Sequence, residues 1–557
     1  MPPTMLLRTY SGTGSHSRGS SATPREGHAR LVMANPRQRV IVLGSGAAGM
    51  AAAAAAATGG AHVTVLESAH LLGGTTAWSG GGIWIPVNGK AENGTGSDSP
   101  DEALRYLRTV SIGDSDPDLL EAYVREGARV VSAIEVETPL RWHQIVGYPD
   151  YHAELDGGQL DGRSLEIDPV QVAPELLSRL LPNPYGKLPV TMNEDNAGFS
   201  DSAEIARRQR LGVIPRGRGL IGGLASCVLE RGGEIRTGVR ASRLLVSNQV
   251  VVGVEAGGAR FEGQVVIATG GFERDAALVR SFLRGPMLAP GGVPNNVGDG
   301  LRMGMTAGAG LANMSEAWWC PAMEVPGETA DGAPFYRMLF SERALPGLLV
   351  VDSRGRRFAN EAANYNDFGR SLHEFDPARY EYPRVPSWIV FDALCRHQHQ
   401  IGPLTGDEPD PPWLARANTV EDLAARIGVP PPTLYETVER FNRLATAGVD
   451  DDFGRGAYAW DRATARRAKA AATLRPLTEP AFYAVKVLPG CLGTKGGLKI
   501  DAGGRVVRAD GSGVIPGLFA AGNAAANPFG HAYPGAGGTI GPALVFGWCA
   551  GETAALG

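Results

Sequence analysis

The spacing of apolar and polar residues predicts a compact unit near the start of the chain. Val40 to Leu43 is a short apolar run, and a glycine-rich turn, G-S-G-A-A-G, follows it. An alanine-rich segment comes next, and a second apolar run from His62 to Leu66 ends on Glu67. Apolar runs bounded by turn residues are typical of buried strands, and the alanine-rich segment favours a helix. The pattern therefore predicts a strand, a tight turn, a helix and a second strand.

The glycines of this turn indicate a dinucleotide site. Gly44 permits the turn, Gly46 lets the backbone approach a pyrophosphate, and Gly49 lets helix and strand pack closely. The helix N-terminus offers free N–H groups to the phosphates, and Glu67 can accept hydrogen bonds from both ribose hydroxyls. The residues of the turn that we expect to bind the cofactor are Gly44, Ser45, Gly46, Ala47, Ala48 and Gly49.

The segment after Glu67 favours FAD over a nicotinamide cofactor. It is a loop rich in glycine and threonine that leads into S-G-G-G. A flavin needs a backbone-lined slot beyond the pyrophosphate, because bare peptide groups can approach its flat ring and form hydrogen bonds with it. The residues that we expect to line this slot are Ser68, Gly74, Thr75, Thr76, Ser79, Gly80 and Gly81.

Composition and charge argue against several other classes of protein. Charged residues make up 20% of the 557 residues and the net charge is −5, which gives no basic surface for nucleic acid. The five cysteines lie far apart and form no metal-ligand spacing, so we expect no metal and reduced thiols in a cytoplasmic protein. No apolar stretch reaches the roughly 18 residues of a transmembrane helix. Peripheral association with a membrane stays open.

The order of the segments predicts an N-terminal tail and two domains. Residues 1–37 are rich in Ser, Gly and Arg, and we expect them to be disordered, with Met33 as an alternative start. Residues 38–310 and 489–557 carry the glycine-rich turns and form the predicted FAD-binding domain, whose Asp299 opens a helix and pairs with Arg302. Residues 311–488, with helices at 419–427 and 430–446, form an inserted catalytic domain. The expected fold class is α/β, Rossmann-like with two dinucleotide-type units and an α+β second domain.

Seven motifs together resemble the fumarate reductase/succinate dehydrogenase-like flavoproteins, and within them the 3-ketosteroid Δ1-dehydrogenases. They are GSGAAGM, GGTTAWSGG, ATGGFE, NVGDG, LPGLLVVDSRGRRFANEA, GTKGGL and AYPGAGGTIGPA. The resemblance runs from about Arg39 to the C-terminus. It implies further FAD contacts at Ala241, Ala268, Thr269, Gly270, Asp299, Gly522, Asn523, Thr539 and Ile540.

The resemblance also implies a catalytic set. In the Tyr-Pro-Gly-x-Gly stretch, the Tyr533 hydroxyl and the Gly537 N–H would polarise the substrate ketone. Tyr365, which follows R-F-x-N-E, would be the base. The supporting residue would be Tyr151, with Tyr148 as the alternative, because the loop could shift the alignment by three residues.

The implied reaction is the FAD-dependent conversion of a 3-oxo-Δ4-steroid to its Δ1,4 product. Tyr365 would take the C2 proton and FAD N5 would take the C1 hydride. A free tyrosine has a pKa of about 10, so a hydrogen bond from Tyr151 is expected to stabilise the Tyr365 anion. The expected partners are a flat 3-ketosteroid and, because no nicotinamide site is evident, a quinone or other electron acceptor.

Three alternatives stay open. A fumarate-type reductase needs arginine and histidine clamps for a dicarboxylate, for which Arg356, Arg357 and His531 are available. A 3-ketosteroid Δ4-(5α)-dehydrogenase is expected to carry a serine beside the C-terminal tyrosine, where Ala532-Tyr533-Pro534 stands. A protein that binds FAD without catalysis would have no need of three tyrosines at these motif positions.

Overall fold

A six-stranded sheet contains the unit predicted at the start of the chain. The computed structural model describes residues 38–90, 98–186, 188–406 and 408–557, so the expectations for residues 1–37 concern residues outside these ranges. Five strands of the sheet pair in parallel, and one edge strand is antiparallel. Across the sheet the strands are Arg505–Val507, Val514–Ala520, Gln264–Ile267, Arg39–Leu43, His62–Leu66 and Glu234–Arg236.

The strand Arg39–Leu43 lies at the point where the chain changes direction across this sheet. His62–Leu66 pairs with it on one side and Gln264–Ile267 on the other, with Val42 opposite both Val65 and Val266. In sheets of this kind a crevice opens beyond the carboxyl end of the strand at the switch point. The α/β class and the predicted strand–turn–helix–strand unit are confirmed.

The alanine-rich segment forms the helix Ala47–Thr58, which is buried around its circumference from Ala47 to Ala57. It packs against the C-terminal helix Ile540–Leu556 and against Arg216–Glu230. Its small side chains leave room for these neighbours, and a helix that is apolar all round belongs in a core. The first and last parts of the chain therefore share one core.

A seven-stranded, mostly antiparallel sheet forms the second large layer. Its long strand Phe482–Thr494 pairs with Ala317–Ala330, Ser387–Asp392 and Ala415–Ala417, and in parallel with Ala289–Pro290. The outer strands are Ala333–Met338 and Leu348–Val351. Because Ala289–Pro290 precedes residue 311 and Phe482–Thr494 passes residue 488, this sheet includes residues on both sides of the predicted domain limits, which stay a prediction.

The remaining strands form small sheets around these two. They are Ile83–Trp84, Trp142–Gln144, Ser164–Ile167, Val170–Gln171, Val213–Ile214, Ala241–Ser247, Val250–Ala256, Ala259–Glu262, Leu311–Ala312 and Gly497–Leu498. The other helices are Gly74–Trp78, Pro100–Ser111, Pro117–Glu137, Pro174–Leu177, Met192–Asn196, Ser202–Leu211, Ala276–Phe282, Asp299–Thr306, Tyr365–Ser371, Ala393–Gln398, Val420–Ile427, Pro431–Ala447 and Ala459–Arg467, with 3-10 turns at Glu342–Ala344 and Gly522–Ala524.

One predicted ion pair is wrong. Arg302 donates to Asp275 at 2.8 Å, and Asp299 instead accepts from Arg240 at 2.8 Å. The cysteines Cys227, Cys320, Cys395, Cys491 and Cys549 are free and buried. No helix in the described ranges is both long and apolar enough to span a bilayer. Among those residues no cluster of His, Cys, Asp and Glu is arranged to hold a metal.

Candidate active site

A cavity of about 800 Å³ lies at the carboxyl ends of the parallel strands. Leu43 and Leu66, the last residues of two of these strands, line it, and so does Ala268, which directly follows a third. Phe340 and Tyr365, from the part of the chain that builds the seven-stranded sheet, form another part of the wall. A cavity between two layers of structure is the usual place for a cofactor and its substrate.

Nearly all residues predicted to bind the cofactor line this one cavity. The exception is Gly49, where an added Cβ would lie 2.0 Å from the Gly44 carbonyl oxygen, so its glycine serves the packing of helix against turn. The predicted residues that line the cavity are Gly44, Ser45, Gly46, Ala47, Ala48, Glu67, Ser68, Gly74, Thr75, Thr76, Ser79, Gly80, Gly81, Ala241, Ala268, Thr269, Gly270, Asp299, Gly522, Asn523, Thr539 and Ile540.

The lining fits a dinucleotide with a flavin ring. At Gly46 an added Cβ would meet its nearest atom, Thr76 Oγ1, only at 3.8 Å, so the backbone is open to an approaching phosphate. The helix that begins at Ala47 adds N–H groups of its first turn, although that of Ala47 donates to Thr76 Oγ1 at 3.1 Å. Beyond the turn the wall includes Gly74, Gly80 and Gly81, where no side chain stands between the peptide groups and a flat ring.

Glu67 organises the glycine turn as well as facing the cavity. Its Oε2 accepts from Ser45 N–H at 2.9 Å and from the Ser45 hydroxyl at 2.7 Å. Its Oε1 accepts from Ala69 N–H at 2.8 Å and, more weakly, from the Ser68 hydroxyl at 3.3 Å. A carboxylate has about four acceptor positions. Three of these positions are used by Ser45 and Ala69, so one ribose hydroxyl can bind at Oε1 once the Ser68 hydroxyl turns away. The carboxylate has no acceptor position left for the second ribose hydroxyl that the sequence led us to expect.

The three predicted catalytic tyrosines meet in one cluster on the cavity wall. Ring centroids are 5.6 Å apart for Tyr151 and Tyr365, 5.1 Å for Tyr151 and Tyr533, and 5.4 Å for Tyr365 and Tyr533. All three side chains are buried. Tyr148 lies elsewhere on the wall, with its ring beneath the guanidinium of Arg467. The structure thus brings Tyr151, and not Tyr148, against the other two tyrosines.

The loop that carries Tyr533 and Gly537 is held through its carbonyl groups. Pro534 O accepts from the Tyr106 hydroxyl at 2.6 Å and from Tyr151 N–H at 3.0 Å. At Gly537 φ is +99°, and an added Cβ would lie 2.4 Å from the carbonyl carbon of Ile83, so only glycine fits. The Tyr533 hydroxyl and Thr539 Oγ1 form a hydrogen bond of 2.9 Å.

An ion pair connects the segments that carry Tyr151 and Tyr365. His152 Nε2 lies 2.7 Å from Asp367 Oδ2, and Asn364 Nδ2 donates to the same oxygen at 2.8 Å. Burial alone would lower the pKa of His152, but its hydrogen bonds to Asp367 and Glu154 raise it to about 10. The imidazole is therefore charged at neutral pH, and the pair keeps the two tyrosine segments together.

Burial raises the pKa of all three tyrosines of the cluster. The pKa of Tyr365 lies well above its usual value because of burial and the neighbouring Tyr151 and Tyr533. Burial likewise raises the pKa of Tyr151, and that of Tyr533 although Thr539 partly offsets it. The sequence led us to expect that Tyr151 lowers the pKa of Tyr365 by stabilising its anion, whereas the surroundings raise that pKa. At neutral pH the resting Tyr365 is therefore a phenol.

Sequence reasoning missed Lys495, a fully buried lysine beside Tyr533. Its Nζ donates to His531 O at 2.6 Å and to Ala532 O at 2.8 Å, and lies 6.0 Å from the Tyr533 ring centroid. Burial lowers the pKa of Lys495 to about 7, although Glu316 and Asp367 oppose this. Its place in the GTKGGL motif was the only available signal. Lys495 fixes the backbone that precedes Tyr533.

Sequence reasoning also missed Trp460 and Arg467, from the helix Ala459–Arg467. The Trp460 ring lies 4.2 Å from that of Tyr151, and the Arg467 guanidinium carbon lies 4.3 Å from the Trp460 ring centroid. Both residues line the cavity. Their segment carries no glycine-rich motif, so nothing in the sequence connected it with the site.

Comparisons with known proteins agree with this arrangement. The FAD binding domain family matches residues 39–540. A 4-oxocyclohexanecarboxylate 2-dehydrogenase from Sinomonas cyclohexanicum is 39% identical over 93% of this chain and 92% of its own length. A 3-oxosteroid 1-dehydrogenase from Mycobacterium tuberculosis is 35% identical over 92% of this chain and 97% of its own length. The crystal structure of 3-ketosteroid delta1-dehydrogenase from Sterolibacterium denitrificans, in complex with 1,4-androstadiene-3,17-dione, has a TM-score of 0.86 at 34% identity, covering 93% of this chain and 99% of that one.

Proposed function

The chain belongs to the FAD-binding domain family, among the flavin-dependent ketone dehydrogenases, and we propose that it catalyses the 1,2-dehydrogenation of 3-ketosteroids. FAD is its cofactor. The observation that carries the proposal is the contact of Tyr151, Tyr365 and Tyr533 on the wall of the cavity that also contains the glycine turn. Relatives named as 3-oxosteroid 1-dehydrogenases support the steroid as substrate.

Each residue of the cluster has a distinct proposed role. The Tyr533 hydroxyl and the Gly537 N–H hydrogen-bond the ketone oxygen and stabilise the negative charge that develops there. This charge makes the neighbouring carbon acidic, and Tyr365 removes the proton from it. Tyr151 lies against both rings and holds the Tyr365 hydroxyl in position. FAD, when bound, accepts the hydride from the adjacent carbon.

The reduced flavin then passes its electrons to an acceptor, which we propose is a quinone or another oxidant of similar kind. The cytoplasm, with or without peripheral contact with a membrane, stays the predicted location.

A second candidate substrate is a one-ring ketone that carries a carboxylate. The relative from Sinomonas cyclohexanicum is named for 4-oxocyclohexanecarboxylate. In this chain the cavity wall includes Arg467, and in the described part of the protein its Nη1 is a buried nitrogen without a hydrogen-bond partner. The chemistry at the ketone is the same for both candidates, and only the remainder of the substrate differs.

The structure weakens the fumarate-type alternative. Arg357, one of its candidate clamps, pairs with Glu361 at 2.8 Å and with Asp450 at 2.7 Å, and its side chain is buried. The His531 ring lies 3.3 Å from Asp114. Neither is among the residues that line the cavity. A protein that bound FAD without catalysis would have no use for the tyrosine cluster beside the glycine turn.

Anaerobic titration of the yellow holoenzyme tests the proposed function. Androst-4-ene-3,17-dione should bleach the flavin absorbance and yield a product two hydrogens lighter by mass spectrometry. Bleaching by 4-oxocyclohexanecarboxylate alone would assign the second candidate. If no cyclic ketone bleaches the flavin, and fumarate reoxidises the dithionite-reduced enzyme, the dehydrogenase assignment is wrong.

The pH dependence of turnover provides a prediction for Tyr365. Because its pKa is raised well above the usual value of about 10, the phenolate fraction should increase about tenfold per pH unit through the neutral and mildly alkaline range. We expect kcat/KM to rise without a plateau between about pH 7 and about pH 10. The measurement is a steady-state profile with an artificial electron acceptor. A plateau that begins near neutral pH would contradict the role of Tyr365 as base.

Glu67→Ala should weaken retention of FAD by about 10- to 100-fold, since hydrogen bonds to a charged group contribute roughly 1.5–3 kcal/mol. The variant removes a ribose acceptor and frees the Ser45 and Ala69 N–H groups that shape the turn. Reconstitution of the apoprotein with FAD, followed by flavin fluorescence, measures the Kd. Glu262→Ala, on an exposed strand residue, is the control. Unchanged affinity in Glu67→Ala would show that the carboxylate is dispensable.

A further inference from the structure

We propose that Arg467 binds a carboxylate on the substrate, so that the enzyme prefers ring ketones that carry an acid group. This inference rests on the proposed function, because it concerns the part of the substrate that lies away from the reacting ketone. Its basis is the position of Arg467, its surroundings and the absence of a protein counter-ion among the described residues.

Arg467 lies next to the catalytic cluster. Its guanidinium carbon is 4.3 Å from the Trp460 ring centroid and 4.4 Å from that of Tyr148. Trp460 in turn packs against Tyr151, with ring centroids 4.2 Å apart. All four residues line the cavity. A substrate whose ketone oxygen is held at Tyr533, and which runs along Tyr151 and Trp460, would meet Arg467.

The guanidinium has unused hydrogen-bonding capacity. Its Nη2 donates to Thr464 Oγ1 at 2.8 Å, whereas Nη1 is buried and has no hydrogen-bond partner within the described ranges. The three other arginines that line the cavity in the described ranges are neutralised. Arg216 pairs with Asp195 and Arg240 with Asp299, both at 2.8 Å, and Arg337 pairs with Glu328. Across the same ranges no ion pair of Arg467 is found, so its charge has no protein counter-ion, and Nη1 can reach a ligand when the side chain turns towards the cavity that it lines.

The surroundings select a carboxylate as the partner of this charge. The two aromatic rings interact with the guanidinium through cation–π contacts and fix its orientation. The N–H groups along its edge match the two oxygens of a carboxylate, which can accept from them in parallel. An apolar substrate would instead cover an unpaired cation and remove it from water, which is unfavourable.

Two kinds of substrate share this chemistry. One is a single ring with a carboxylate opposite the ketone, and the other is a steroid whose side chain ends in an acid. Tyr151 contacts both Tyr533 and Trp460, at ring-centroid distances of 5.1 and 4.2 Å, and so connects the ketone site with the ring that lies against Arg467. The experiment distinguishes the two kinds.

The test compares acids with their methyl esters in the wild-type holoenzyme and in Arg467→Gln. The substrates are 4-oxocyclohexanecarboxylate, 3-oxochol-4-en-24-oate, the methyl esters of both, and neutral androst-4-ene-3,17-dione. We expect the wild type to prefer one acid over its ester, and Arg467→Gln to lower kcat/KM for that acid by about 100-fold, mainly through KM. The esters and the neutral steroid should lose no kcat/KM in Arg467→Gln, and any change should be a gain, because the unpaired charge is gone. Whichever acid shows the preference identifies the kind of substrate.

Two variants separate recognition of the acid from a structural role. Arg467→Lys keeps the charge and should recover part of the preference for the acid. Arg466→Gln, at the exposed neighbouring position of the same helix, should leave it unchanged. Equal losses for acid and ester in Arg467→Gln, or no preference in the wild type, would overturn the inference. Turnover of the neutral ketone would still stand in that case, so the proposed function would survive, whereas failure of every ketone would refute both.

Discussion

Tyr365→Phe is expected to lower kcat by about 10²- to 10⁴-fold, the usual contribution of a positioned general base. The substitution removes only the hydroxyl. The phenyl ring can keep its edge contacts with Tyr151, Phe340 and Tyr533, at centroid distances of 5.6, 5.2 and 5.4 Å. The helix Tyr365–Ser371 keeps its cap, because Asn364 still accepts from Asp367 N–H. Loss of activity should therefore occur without loss of FAD or of the fold.

Stopped-flow bleaching of the flavin under anaerobic conditions measures this effect on the chemical step itself. The variant should retain the absorbance spectrum of the wild type and its FAD content. Tyr435→Phe, which removes a half-exposed hydroxyl on the helix Pro431–Ala447, is the control and should react at the wild-type rate. Unaltered bleaching in Tyr365→Phe would exclude this residue as the base.

Local features were predictable because neighbouring residues specify them. The apolar runs and glycines around Gly46 define the strand–turn–helix–strand unit without reference to the rest of the chain. The cap of the helix Pro100–Ser111 is equally local, because the Ser99 side chain accepts from Glu102 N–H three residues along. Tyr365 follows the motif R-F-x-N-E and Tyr533 opens Tyr-Pro-Gly-x-Gly, so the resemblance indicated them directly.

Features that depend on distant contacts were not predictable. Spacing suggested that Arg302 pairs with Asp299, but the folded chain brings Asp275 to Arg302 and Arg240 to Asp299. Which of Tyr148 and Tyr151 lies against the other two tyrosines depends on the path of an irregular loop, in which Tyr151 N–H donates to Pro534 O.

Burial of titratable side chains is a second feature that could not be predicted from the sequence. Lysine is usually exposed, yet Lys495 is fully buried because two backbone carbonyls accept from its ammonium group. Burial also raises the pKa of Tyr365, and it follows from the assembled cavity and not from the local sequence. Its effect on this pKa is larger than the lowering that we expected from the Tyr151 hydroxyl.

Tyr533→Phe is expected to reduce kcat/KM by about 10²- to 10³-fold, the usual effect of removing one donor to a developing oxyanion. The phenyl ring would keep its packing against Tyr151 and Trp318, at centroid distances of 5.1 and 4.8 Å. The hydrogen bond with Thr539 would be lost, so a wild-type FAD content is the necessary control. Steady-state kinetics with the preferred ketone measures the change, and a wild-type kcat/KM would remove Tyr533 from the site.

A graded series of substrates separates stabilisation of the enolate from simple positioning. If Tyr533 stabilises developing charge, Tyr533→Phe should lower kcat/KM less for ketones with electron-withdrawing substituents. Such substituents already stabilise the negative charge of the enolate. An equal loss across the series would mean that Tyr533 only orients the ketone. The second donor cannot be removed by substitution, because any side chain at Gly537 would collide with the backbone of Ile83 and Trp84. The Gly537 N–H therefore remains in Tyr533→Phe, and the residual activity of this variant measures how much of the charge one donor can stabilise.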